Sequence, residues 1–130
     1  MYLVQEQAVA GDRMEAPFAR VVKHLVAQWN AGASKLWFGI SIIDPSSSSN
    51  PHAHSSQEEV FYCVEGRGLI RVGDEEAEIS PGSCVFVPEG MVHELVNTQA
   101  DRELRVVSAS APAFSRVGWS DVHKAGEQTR

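Results

Sequence analysis

The chain has 130 residues, 43% hydrophobic and 22% charged, a composition that suits one globular domain with a single hydrophobic core. Its formal net charge of −6 and scattered Lys and Arg argue against a nucleic-acid backbone or an anionic membrane as partner. No apolar run approaches the roughly 18 residues of a membrane span, and Glu6 and Asp12 fall where a secretory signal needs apolar residues, so a cytoplasmic location is expected.

In chain order, residues 1–9 show no clear pattern. Residues 21–29, VVKHLVAQW, are expected to form a strand, although Val22, Leu25, Val26 and Trp29 also fit one face of a helix. From Leu36 onward, short β-rich runs alternate with turn residues: KLWFGISII, the loop DPSSSSNP, EVFYCVEG, LIRVG, the acidic turn GDEEAEIS, CVFVP, EGMVHELVN and ELRVVSAS. Their spacing predicts an all-β antiparallel sandwich or barrel rather than βαβ units. Two cysteines do not make a disulfide framework, and Cys63 and Cys84, each in an apolar run, are expected to be reduced and buried as small hydrophobes. Residues 119–130 read as a polar tail, loose or lightly docked.

The stretch PHAHSSQEEVFY carries the chemistry. Residues i and i+2 of a strand share a face, so His52 and His54 project together, and Glu59 shares a face with Phe61 and Cys63. His93 lies far along the chain, with Leu95 and Asn97 on its face, and antiparallel pairing can bring it to the others. Imidazoles with one carboxylate suit a divalent transition ion, Fe, Mn, Ni, Co, Cu or Zn, one per chain, and leave open positions on an octahedral ion. A structural zinc site would be closed and richer in cysteine. His24 and His123 read as ordinary lone histidines.

At these residues the chain resembles a cupin of the small single-domain kind. His52, His54, Glu59 and Gly66 fit the family's first motif, and Gly82, Pro88, Gly90, His93 and Asn97 fit every specified position of its second. One departure stands at Ser46, where the family carries a turn glycine; because Gly permits positive φ and Ser does not, the loop is expected to turn differently. The resemblance implies a jelly-roll β-barrel with its core over residues 36–110, and a metal inside held by His52, His54, Glu59 and His93. It also implies a homodimer, for which residues 1–15 would supply an exchanged strand.

Fold does not fix function. The favoured expectation is a metal-dependent enzyme on a small anionic or carbonyl-bearing molecule, with a dioxygenase (an oxidoreductase) placed just ahead of a non-redox isomerase, lyase or decarboxylase. The alternative class is a non-catalytic ligand-binding or sensory protein. Glu59 is the candidate acid/base. Phe61, Phe86 and Leu95 are candidate substrate-wall residues, with Trp37 or Phe38 added according to strand phase. Arg71 is a candidate carboxylate partner if it faces inward; like Arg105, it more simply faces out.

Overall fold

Alternating burial sets the strand faces. In a computed structural model that describes residues 1–124, strand β4 (Glu58–Glu65) buries Glu59, Phe61 and Cys63 and exposes the residues between them. Before it come β1 (Asp12–Met14), β2 (Arg20–Val26), the short helix α1 (Gln28–Ala31) and β3 (Trp37–Ile43). After it come β5 (Gly68–Val72), β6 (Glu75–Ile79), β7 (Cys84–Val87), β8 (His93–Asn97), β9 (Leu104–Ala111) and helix α2 (Arg116–His123). Every pairing is antiparallel: a six-stranded sheet in the order β1-β2-β3-β9-β4-β7 faces a three-stranded sheet β6-β5-β8. This is the expected jelly-roll barrel. No helix among the described residues is long and apolar enough to cross a membrane.

Ile43, Phe61, Ile70, Val87, Leu95, Leu104 and Val106 form the main core, each removed from water at a gain of roughly 1.5–3 kcal/mol. A second cluster joins Met14, Val22, Ala27 and Trp37 to Phe114 and Trp119 from the C-terminal segment. Residues 20–26 are strand as expected, and the chain then turns through α1 instead of continuing extended to Trp29. In this single chain β1 pairs with the same chain's β2.

The structure corrects three expectations here. Ser46 does adopt positive φ, at 59°, held by Ser46 N–H donating to Gln99 O at 2.8 Å and Ser47 N–H to Asp44 O at 3.1 Å. The loop thus turns as the glycine would have turned it. Cys84 is exposed, while Cys63 is buried, and burial pushes the Cys63 thiol up. The tail from Trp119 starts inside α2: Ser115 Oγ accepts from Gly118 N–H at 2.9 Å as N-cap, and Trp119 is 0% exposed. The rest of that predicted tail, residues 125–130, lies outside the described residues.

Candidate metal centre

A pair of backbone hydrogen bonds creates the site. His52 N–H donates to His93 O at 3.1 Å and His93 N–H donates to His52 O at 2.8 Å, so two histidines 41 positions apart sit opposite one another. The turn through Pro88 and Gly90 completes the placement. Gly90, at φ 79°, donates its N–H to His54 O at 2.9 Å, and no neighbour crowds the space a Cβ would take; the backbone angle alone calls for glycine. Asn97 anchors the far end of β8. Its amide donates to the carbonyls of Ile43, Asp44 and Arg102, and its Oδ1 accepts from Gln99 N–H.

Among the described residues, one group of histidines could hold an ion: His52, His54 and His93, with ligand atoms within 4.8 Å of one another. Nδ1 of His52 lies 2.6 Å from Asn50 O and Nδ1 of His93 lies 3.0 Å from Met91 O. Each Nδ1 carries the proton toward its carbonyl, which leaves Nε2 with a lone pair. Oε1 of Glu59 stands 3.2 Å from Nε2 of both His54 and His93. Two adjacent ligands of an ion at ~2.1 Å stand ~3 Å apart, so this spacing fits one shared ion.

Nε2 of His54, Nε2 of His93 and Oε1 of Glu59 are buried with no hydrogen-bond partner. Such groups cost free energy unless something satisfies them, and a cation does so for all three at once. Burial, then the neighbouring His93 and His54, push the His52 pKa down to about 3, so it is a neutral, ligand-ready imidazole at pH 7. Burial alone would raise the Glu59 carboxyl; a proton on the facing His54 or His93 ring nitrogen, in the place an ion would take, outweighs it and lowers the group below its ordinary value. The residues present therefore fit a divalent transition ion.

The residues expected on the substrate wall fall in different places. Phe61 and Leu95 are buried and line the small barrel cavity with His52, Glu59, Trp37 and Ser108. Trp37, not Phe38, points inward. Phe86 does not line the cavity: it is 54% exposed, because β7 directs Val87, the register partner of Glu59, toward the core. Arg71 also faces solvent, between Glu76 Oε1 at 2.7 Å and Glu94 Oε1 at 2.9 Å, its partners on the flanking strands. Arg105 bonds Glu6 on the outer surface.

Sequence reasoning missed the packing of the C-terminal segment against the histidines. His123 is buried, with its ring 4.6 Å from His52 and stacked 5.0 Å from His54. Trp119 stacks behind it at 4.5 Å, and Phe114 meets His54 edge-on at 4.9 Å. Burial holds the His123 pKa well down. The signal available was the i,i+4 spacing of Trp119 and His123 after the cap residue Ser115. His24 is, as expected, a satisfied core histidine, between Asp12 Oδ2 at 2.6 Å and the Trp37 indole N–H at 3.1 Å.

Comparison with known proteins places the chain. The family model for the cupin domain matches residues 39–110. An uncharacterised protein of Streptomyces coelicolor is 40% identical over 68 residues, 52% of this chain and 60% of that protein. The chain spans about three-fifths of the length of the curated relatives it matches. Among solved structures, a predicted oxalate decarboxylase from Thermotoga maritima superposes with TM-score 0.76 at 19% identity, covering 85% of this chain and 99% of that one. The polyketide cyclase RemF from Streptomyces resistomycificus gives TM-score 0.73 at 21% identity, covering 92% and 91%. With both motifs in place on this barrel, the chain belongs to the cupin family.

Proposed function

We propose that the protein is a metal-dependent enzyme acting by non-redox chemistry, as an isomerase, lyase or decarboxylase, on a small molecule with a carboxylate next to a second oxygen. The observation that carries this reading is the buried set of unsatisfied atoms, Nε2 of His54 and His93 with Oε1 of Glu59, beside His52. A divalent transition ion held there supplies Lewis acidity to substrate oxygens. Neutral imidazoles with one carboxylate leave about one positive charge on such a site, which favours an anionic oxygen ligand. His52 and His93 are kept in ligand geometry by their Nδ1–H bonds to backbone carbonyls. Phe61 and Leu95 exclude water, and Glu59 is the carboxylate at the cavity that could leave the ion to take up a proton.

Two of the similar structures carry the names of a predicted oxalate decarboxylase and a polyketide cyclase, and these names lean toward the non-redox branch and away from the dioxygenase expected from sequence. The test is product formation by NMR from a panel of 2-oxo acids, 2-hydroxy acids and 1,3-diketones, with metal-loaded protein in and out of air. Product without oxygen, abolished in His93→Ala, is the expected result. Product only in air would restore the dioxygenase, and binding without product would make the protein a sensor.

A homodimer belongs to the same reading. Phe38, Ala109, Val60 and Phe86 align in one row across four strands, on the outer face of the large sheet, where all four are exposed. A second copy would bury this row. Light scattering should give twice the chain mass, falling to one chain in Val60→Asp.

A further inference from the structure

Two cavities meet at the metal centre, and α2 divides them. The inner one, bounded by Arg20, His52, Glu59, Phe61, Trp119 and His123, has a volume of about 20 Å³. That admits one water or one ion, whereas pockets for organic ligands start at roughly 300 Å³. The outer one is a groove of about 270 Å³ between residues 53–57 and α2, with His54, Phe114 and Val122 on its walls. Phe114 and His123, both packed on the His54 ring, form the partition. For a substrate to reach the histidines, one wall has to move. The barrel strands are tied to one another by hydrogen-bonded ladders, while α2 joins none of them: it follows β9 through residues 112–115 and is seated by Trp119 and by side-chain contacts.

What holds the end of α2 says what would replace it. Arg20 and Asn50 are both almost wholly buried, at 1% and 3% exposure. Asn50 Oδ1 accepts from Arg20 Nη2 at 2.7 Å, which aligns the two side chains. The Asn50 amide then donates to Val122 O at 2.9 Å, and Arg20 Nη2 donates to His123 O at 2.8 Å. Two buried donors thus grip two oxygens at the helix C-terminus, where the helix dipole is negative. We propose that α2 is a lid whose last two carbonyls occupy, on Asn50 and Arg20, the place of the carboxylate of a small 2-oxo or 2-hydroxy acid. This rests on the functional reading above and adds the substrate's anchor. With α2 lifted, the two cavities join, the guanidinium and amide bind the carboxylate, and the substrate's second oxygen faces the histidines.

The latch is Arg116. Its guanidinium donates to both oxygens of Asp12 at 2.8 Å each and lies over the rings of Trp29 and Trp119 at 5.1 and 5.6 Å. When the binding-competent state is a minor one, apparent affinity scales with its population, so loosening the latch tightens binding.

The experiment titrates the full-length protein, with and without one equivalent of zinc, using pyruvate and lactate as probes. Amide hydrogen exchange of the peptide spanning α2 is read by mass spectrometry, and affinity by calorimetry. At saturation, exchange in α2 should rise; Arg116→Ala should bind ~fivefold tighter and Asn50→Leu ~tenfold weaker than wild type. Should Asn50→Leu not fold, the wild-type exchange and the Arg116→Ala affinity decide the matter. Unchanged or slowed exchange in α2, equal affinity in Arg116→Ala, or no binding of either acid would overturn the proposal. A metal reading that failed would instead show as identical curves with and without zinc, the exchange response intact.

Discussion

Asp12 ties the C-terminal helix to the barrel, and Asp12→Asn measures that tie. The carboxylate accepts two hydrogen bonds from Arg116 at 2.8 Å and meets His24 Nε2 at 2.6 Å, with Lys124 Nζ 3.7 Å away. Burial alone would raise its pKa; the hydrogen bonds from Arg116 and His24 outweigh burial and bring it from 3.8 down to about 2. A depressed acid contributes stability that is present above its unfolded value and is lost as the pH falls through its folded value. At ~1.36 kcal/mol per pH unit, the depression is worth ~2.4 kcal/mol. Arg116 is 42% exposed, so solvent screening brings the figure nearer ~2 kcal/mol. For a chain of this size that is ~5–10 °C in Tm. Urea unfolding of wild type and Asp12→Asn, near neutral pH and at about pH 2.5, is the assay. The variant should be less stable by ~2 kcal/mol near neutrality, with the gap narrowing below ~1 kcal/mol at the acid end. A gap that stays constant over this range, or is absent near neutrality, would refute the reasoning.

Three further substitutions probe other parts of the structure. Trp119→Ala removes a fully buried indole stacked on His123 and edge-on to His24, and should cost ~3–5 kcal/mol in urea unfolding. Ser46→Gly relieves a left-handed serine and, after the entropy that glycine adds to the unfolded chain, should stabilise by ~0.5–1 kcal/mol; a loss would show that the Ser46 conformation is not strained. Glu59→Gln keeps the shape and removes the charge beside His54 and His93. It should weaken metal binding at least ~tenfold in competition with a chromogenic chelator, and unchanged affinity would remove Glu59 from the site.

Glu59 and the phase of His93, Leu95 and Asn97 were legible because strand alternation is a local rule that each segment obeys on its own. The strand expected at His52 and His54 is instead loop leading into β4, with His52 in one isolated bridge to His93, so the two rings meet through the turn and not through alternation. The phase of β7 was not. CVFV is apolar throughout, so only its register against β4, which sets Val87 opposite Glu59, decides that Phe86 faces out. Arg71 was ambiguous for the same reason, until pairing placed Glu76 and Glu94 beside it. Ser46 shows tertiary context overriding a local preference: the Asn97 amide grips Ile43 O and Asp44 O just before it and leaves the turn little choice. His123 and Arg20 reach the site across more than a hundred residues of sequence, through a carbonyl contact that no periodicity reports. The hydrogen-bonded pairing of His52 with His93 is equally non-local, and only the resemblance to a known family anticipated it.

The most direct test of the account is metal stoichiometry. Untagged protein, stripped with chelator and dialysed against iron, manganese, zinc or nickel, would be assayed for bound metal by mass spectrometry beside His93→Ala. His93 is the fitting target because its Nε2 is buried and unsatisfied and its backbone carries the pairing that builds the site. The account predicts about one ion per wild-type chain and loss of that ion in a folded His93→Ala variant. Wild-type protein that takes up none of the four, or a variant that loads as fully as wild type, would contradict it.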